Sequence, residues 1–333
     1  MTTFARVLSI GALFLATAAA HAADVVVYVK PGGSDQASGA SEADAVGSLQ
    51  AAVKKVLAQK PAGLTGRRIV VLPGSYLEQV TVVRDLPDEM PLVITAAPGA
   101  RPVFDGNGKG RSWLVLDSAT GKSSRLTVQG MEVANYVTAI SLNGERTSTN
   151  ASNGQNVLRD NVFRNIGQVA FPSGKPATAA VRLVNSRNNQ IVQNQFINIR
   201  NITGCTALHS IYMAHYSSGN LIQGNVFDGG CGATIKTRDA SNENTIRDNK
   251  FIDQAEAVFL DSFCDKDARE DCTKAENECP SWDNRFENNS MARLAPKVHK
   301  APAQAKGSDA PSGCQLPATR RGRLSQANNR LER

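Results

Sequence analysis

Between residues 156 and 289 one short pattern returns again and again. Asn156-Val-Leu-Arg-Asp-Asn161-Val-Phe163 is followed by Asn189-Gln-Ile-Val-Gln-Asn194-Gln-Phe196, Asn220-Leu-Ile-Gln-Gly-Asn225-Val-Phe227 and Asn244-Thr-Ile-Arg-Asp-Asn249-Lys-Phe251, with Asn284-Arg-Phe-Glu-Asn-Asn289 as a weaker fifth copy. The second asparagines lie 33, 31, 24 and 40 residues apart. A fixed strand core with variable loops produces that unevenness. Asparagine tolerates left-handed backbone and can bond neighbouring main chain, so it belongs where the chain bends. Stacked on successive coils, the asparagines can bond one another along an axis while Phe163, Phe196, Phe227 and Phe251 stack inside. Parallel strands about 4.8 Å apart bury a continuous core in this way, and each coil is stable only through its neighbours. The expected fold is all-β: a single-stranded, right-handed parallel β-helix, a solenoid.

A second strand precedes each copy: Ala139-Ile-Ser-Leu142, Ala180-Val-Arg-Leu183, Ser210-Ile-Tyr-Met213, Thr234-Ile-Lys-Thr237 and Ala257-Val-Phe-Leu260. Alternation sends Ile140, Val181, Ile211, Ile235 and Val258 inward and Ser141, Arg182, Tyr212, Lys236 and Phe259 outward. Two residues on, the outward set is Asn143, Val184, Ala214, Arg238 and Asp261. This outer ladder is where chemistry is expected. Upstream, Gly47-Ser-Leu-Gln-Ala-Ala-Val-Lys-Lys-Val56 reads as an amphipathic helix capped by Ser48, placed to close the open end of the solenoid.

The N-terminus reads as an export signal. Arg6 supplies the charge, Val7 to Ala20 the apolar stretch, and Ala20-His21-Ala22 a small-x-small cleavage site. That run is short of the about 20 residues a membrane crossing needs, and no later segment qualifies. The expected product is secreted or periplasmic, with residues 23–292 as one β-helix domain. Its six cysteines, Cys205, Cys231, Cys264, Cys272, Cys279 and Cys314, suit an oxidising compartment. Cys205 and Cys231 lie about one repeat apart and could clip neighbouring coils. Cys264, Cys272 and Cys279 suggest a local staple, and no C-x-x-C pair argues for zinc.

The formal charge of +7 is not spread over the chain. Residues 293–333 hold nine lysines and arginines against two acidic residues, Arg6 adds one charge, and residues 23–292 are left at −1. The body therefore offers no global argument for a polyanion, and no nucleic-acid partner is expected. Residues 293–333, rich in Ala, Pro, Lys, Arg and Ser, read as a disordered basic tail.

Val70-Val-Leu-Pro-Gly-Ser-Tyr76, Ala97-Pro-Gly-Ala-Arg-Pro-Val-Phe-Asp-Gly106 and the asparagine repeats resemble secreted right-handed β-helix proteins of the pectate-lyase-like superfamily. The resemblance covers residues 25–292 and implies a carbohydrate partner. The aspartate pairs and Gly-His-Gly of polygalacturonases are missing, as is the Asp-Pro-His-Asp motif of alginate epimerases. In lyases of this group Lys, Arg, His or Tyr commonly move the protons, often with calcium.

Elimination on a uronic acid polymer needs a cation to neutralise the carboxylate, a base for the adjacent proton and an acid for the leaving oxygen. Arg182, Tyr212, Lys236 and Arg238 are the candidates in the ladder, with His209 and His215 at the corners of one strand. Asn143, Phe259 and Asp261 are candidate substrate contacts. Asp261, Asp265 and Asp267 are candidate calcium ligands. The expectation is a monomeric, lyase-like protein acting on an acidic polysaccharide. A non-catalytic polysaccharide-binding or surface-structural β-helix is the rival, and a hydrolase using Asp239 and Asp261 comes third.

Overall fold

The computed structural model describes residues 23–86, 90–201, 205–263, 278–294, 303–304, 314 and 324–332. Every strand pairing recorded among them is parallel. They build one ten-stranded, one eight-stranded and one nine-stranded sheet, plus a two-stranded patch. A complete coil contributes one strand to each long sheet, so neighbours in a sheet are one coil apart in sequence. That is the connectivity of a parallel β-helix.

The repeat explains the winding. In each copy the Ile/Leu strand lies in the ten-stranded sheet and the Phe strand in the nine-stranded one: Val157–Arg159 pairs with Gln190–Val192, and Val162–Arg164 with Gln195–Ile197. Phe163, Phe196, Phe227 and Phe251 are wholly buried, with successive ring centroids 5.0, 4.8 and 5.0 Å apart. Both asparagines of each copy are buried and form two columns. In one, Asn156 Nδ2 donates to Asn189 Oδ1 at 2.8 Å, and Asn189, Asn220, Asn244 and Asn284 continue it. The other runs from Asn161 through Asn194, Asn225, Asn249 and Asn289 to Asn329. Each carbonyl oxygen also accepts the backbone N–H of the preceding asparagine, as Asn194 N shows at 2.9 Å to Asn225 Oδ1. The left-handed residue is not the column asparagine but the one before it: Asp160, Gln193, Gly224, Asp248 and Asn288 all have φ near +60°. The asparagine instead satisfies the buried main chain that this bend exposes.

Helix Leu49–Ala58 packs on the first strand, Ala23–Val29, and on Leu64–Val71, burying Leu49, Ala52, Val53 and Val56. Ser48 Oγ accepts the Ala51 N–H at 3.1 Å, the expected cap. Among the described residues no helix is long and apolar enough to cross a membrane.

Two expectations change at the C-terminal end. Leu324–Ala327 pairs with Asn284–Glu287, Arg330–Glu332 pairs with Ser290–Ala292, and Asn289 donates to Asn329. Residues 324–332 are therefore a further coil rather than part of a disordered tail. Cys279 bonds Cys314, Cα–Cα 5.7 Å, outside the acidic stretch; Cys264 and Cys272, the other candidates for a local staple, lie outside the described residues. Cys205 and Cys231 do clip neighbouring coils, Cα–Cα 5.4 Å.

Candidate functional site

The eight-stranded sheet carries the candidate residues. Thr138–Asn143, Ala179–Val184, His209–Ala214 and Ile235–Arg238 lie side by side in a register that puts Ser141, Arg182, Tyr212 and Lys236 in one outward row. Asp117, Asn143, Val184, Ala214 and Arg238 form the next row. Inward Ile140, Val181, Ile211 and Ile235 are fully buried, so period-two alternation holds across these four coils.

On the next coil it is offset by one. Phe259 pairs with Ile235, Leu260 with Lys236 and Asp261 with Thr237. Phe259 accordingly faces the core, fully buried, with its ring 6.3 Å from Phe286, and Leu260 takes the outward place expected for Phe259. Asp261 also points inward, at 2% exposure, where it accepts Thr237 Oγ1–H at 2.7 Å and Ser281 N–H at 3.2 Å. Neither can contact a substrate on the outer face. Val258 is buried as well, because it enters the corner before the strand begins, and two adjacent buried residues hid the phase. Asp265 and Asp267 lie outside the described residues, and Asp261, the one described member of the expected calcium set, points into the core.

The outer rows are linked by a chain of polar contacts. Asn143 Nδ2 donates to Asp117 Oδ1 at 2.9 Å, and Arg182 Nη1 donates to Asn143 Oδ1 at 3.1 Å. Lys236 Nζ stands 5.9 Å from the Tyr212 ring centroid. The charge of Arg238 acts on the Tyr212 phenol, and Arg238 Nε donates to Glu278 Oε2 at 2.6 Å. Arg146, from the loop after Asn143, reaches Glu278 Oε1 at 3.8 Å. Burial pushes the Tyr212 phenol above its ordinary value, against the pull of Arg238 and Arg182. Burial likewise lowers Arg182. For Arg238 burial acts downward, but the hydrogen bond and charge of Glu278 outweigh it and hold the guanidinium above its usual range.

The two histidines bounding His209–Ala214 differ. His209 Nδ1 lies 2.6 Å from the Ala233 carbonyl and its ring 5.6 Å from Tyr212. Burial, with Lys236 nearby, depresses it to about 3, so it is a neutral wall behind the phenol. His215 Nδ1 meets Asp239 Oδ2 at 2.7 Å, and Asp239 Oδ1 accepts the Cys279 N–H at 3.1 Å. His215, Asp239 and Glu278 are the one grouping with metal-ligand spacing among the described residues, their nearest polar atoms all within 4.8 Å. The Arg238 guanidinium already supplies the cation there.

Glu278 and Arg146 were not singled out from the sequence as site residues. Glu278 arrives on a loop and Arg146 on another, and only the closed coil brings them together.

No protein-family model and no curated protein matches the chain. Among solved structures, Escherichia coli ybhc aligns over 98% of this chain and 88% of its own at 11% identity and a TM-score of 0.50. A rhamnogalacturonan lyase aligns over 92% of this chain and 87% of its own, at 13% identity and a TM-score of 0.39. The tailspike protein of Escherichia coli bacteriophage HK620, in complex with a pentasaccharide, aligns over 76% of this chain and 49% of its own at 12% identity and a TM-score of 0.42. At such identities a likeness speaks for chain path alone. Stacked coils and all-parallel pairings among the described residues make this protein a parallel β-helix.

Proposed function

We propose that the chain is exported and that the outer face of its eight-stranded sheet binds an acidic polysaccharide and cleaves it by β-elimination. The observation that carries this reading is the row Arg182, Tyr212, Lys236 on three successive coils, with Arg238 acting on the Tyr212 phenol from the adjoining row. Successive members stand about 4.8 Å apart, so a sugar carboxylate laid along the row meets cations from more than one coil. Arg182, Lys236 and Arg238 are the carboxylate's partners. The phenol, kept protonated by burial, is the donor to the leaving oxygen. Two disulfides among the described residues suit an oxidising compartment and support export, to the periplasm or beyond.

A second reading, binding without cleavage, draws on the Arg238–Glu278 pair: a cation already neutralised by a carboxylate has less to offer a second one. Incubation with alginate, pectate and glycosaminoglycans, followed by ultraviolet absorbance of the conjugated unsaturated end, separates the two. Elimination predicts new absorbance with at least one polymer, abolished in Tyr212→Phe and Lys236→Ala. Retained binding with no absorbance selects the second reading. Full turnover in both variants removes the site from this row.

A further inference from the structure

Turnover on this face needs a proton acceptor, and the row itself offers cations and a protonated phenol. We propose that His215 is that acceptor and that Asp239 is its positioning residue, an assignment that rests on the elimination reading above. Nδ1 of His215 lies 2.7 Å from Asp239 Oδ2. A carboxylate accepts from Nδ1–H, which leaves the lone pair on Nε2, and Nε2 has no partner among the described residues. The carboxylate is held in turn, because its other oxygen accepts the Cys279 N–H. Base and orienter thus meet hydrogen-bond geometry, the ordinary arrangement of a general base.

A second observation is independent of these bonds. His215 and Tyr216 both have positive φ, 51° and 67°, and so do Asp239 and Ala240 on the next coil, 52° and 51°. Left-handed non-glycine pairs are costly. The previous coil makes the same corner with a single left-handed residue, Asn185. The doubled bend occurs where it sets the imidazole against the carboxylate. The acid is linked to it: Glu278, within 4.8 Å of His215 and Asp239, holds Arg238, and the charge of Arg238 acts on the Tyr212 phenol. Charged groups around the imidazole are Asp239 from the next coil, Glu278 and Arg238 from the face, and Arg187, whose Nε donates to the Tyr216 carbonyl at 3.1 Å.

The step balances without a co-reactant. His215 Nε2 takes the proton beside the sugar carboxylate. That electron pair forms the ring double bond as the glycosidic C–O bond breaks, and the Tyr212 hydroxyl protonates the departing oxygen. The imidazolium and phenolate then exchange a proton through solvent. One glycosidic bond is lost and one unsaturated end is gained, with no net redox change.

The test is steady-state elimination on the best uronate polymer across pH, with binding of a short uronate oligosaccharide measured in parallel. His215→Asn suits the left-handed backbone. Asp239→Asn keeps the shape but provides one carbonyl oxygen for two donors, so the imidazole loses its fixed tautomer. Expected are losses of about 10²- to 10⁴-fold in kcat with KM and oligosaccharide binding within about threefold of wild type. The acid limb of the wild-type pH profile should vanish in His215→Asn. Should Asp239→Asn fail to fold, the His215→Asn pH profile decides alone. A wild type that makes unsaturated product while His215→Asn keeps its rate and acid limb overturns this assignment only. A wild type that makes none from any uronate polymer overturns the parent reading together with it.

Discussion

The ten-stranded and eight-stranded sheets are built from the same coils, yet their outer faces differ in kind. On the ten-stranded sheet the charges are exposed and paired loosely: Arg247 with Asp248 at 3.8 Å and Arg159 with Asp160 at 3.3 Å, each side chain close to half exposed. Gln129 and Thr95 complete a surface that water could serve equally well. On the eight-stranded sheet Arg182, Tyr212, Arg238 and Glu278 give up much of their hydration and depend on one another. Exposed pairs contribute about 0–1 kcal/mol, whereas a buried one left with a single partner costs about 3–5 kcal/mol. A scaffold held by its core and its asparagine columns does not need polar burial on one outer face. Its presence there is what singles that face out in the proposed function.

The largest way to sharpen the contrast is acid. His209 is held neutral at about 3 in the folded chain against 6.5 when exposed. The depressed value means its contribution is complete above 6.5 and is lost as pH falls toward 3, at about 1.4 kcal/mol per unit. On the order of 4 to 5 kcal/mol of stability should disappear over that window in urea unfolding, and His209→Gln should flatten the slope. An unchanged slope in the variant would mean that burial behind Tyr212 is not what separates the faces. A smaller effect comes from the ion pairs. Glu278→Gln should lower stability by about 2–3 kcal/mol by leaving Arg238 without its carboxylate, while Asp248→Asn on the other face should change it by under about 0.5 kcal/mol. Equal effects would erase the distinction. On the row itself the effect is small: Tyr212→Phe is expected to move stability by less than about 1 kcal/mol in either direction while turnover is lost. A stability loss well above that would make Tyr212 a structural strut.

The pattern of asparagine and phenylalanine made the coils, their parallel pairing and the alignment of Arg182, Tyr212 and Lys236 legible, because a fixed strand core sets register whatever the loops do. Phase was lost at Val258-Phe259, where two consecutive buried residues suit either alternation, and with it the placement of Phe259 and Asp261. Residues 324–332 escaped because only Asn329 and Leu331 of the pattern survive amid basic and polar residues. Asp239 was visible only as a third-rank carboxylate, and Glu278 not at all. Both owe their neighbours to corners and loops, and no local period predicts which loop closes over which strand.

The asparagine columns have a direction. In every link the side-chain N–H of one coil points toward the C-terminal neighbour and the carbonyl oxygen points back. The amide dipoles in a column therefore add head to tail, and each interior member is polarised from both sides. Such a line should be least tolerant of a gap at its middle, near Asn225, and most forgiving at its last link to Asn329, so wear along the spiral starts from the end.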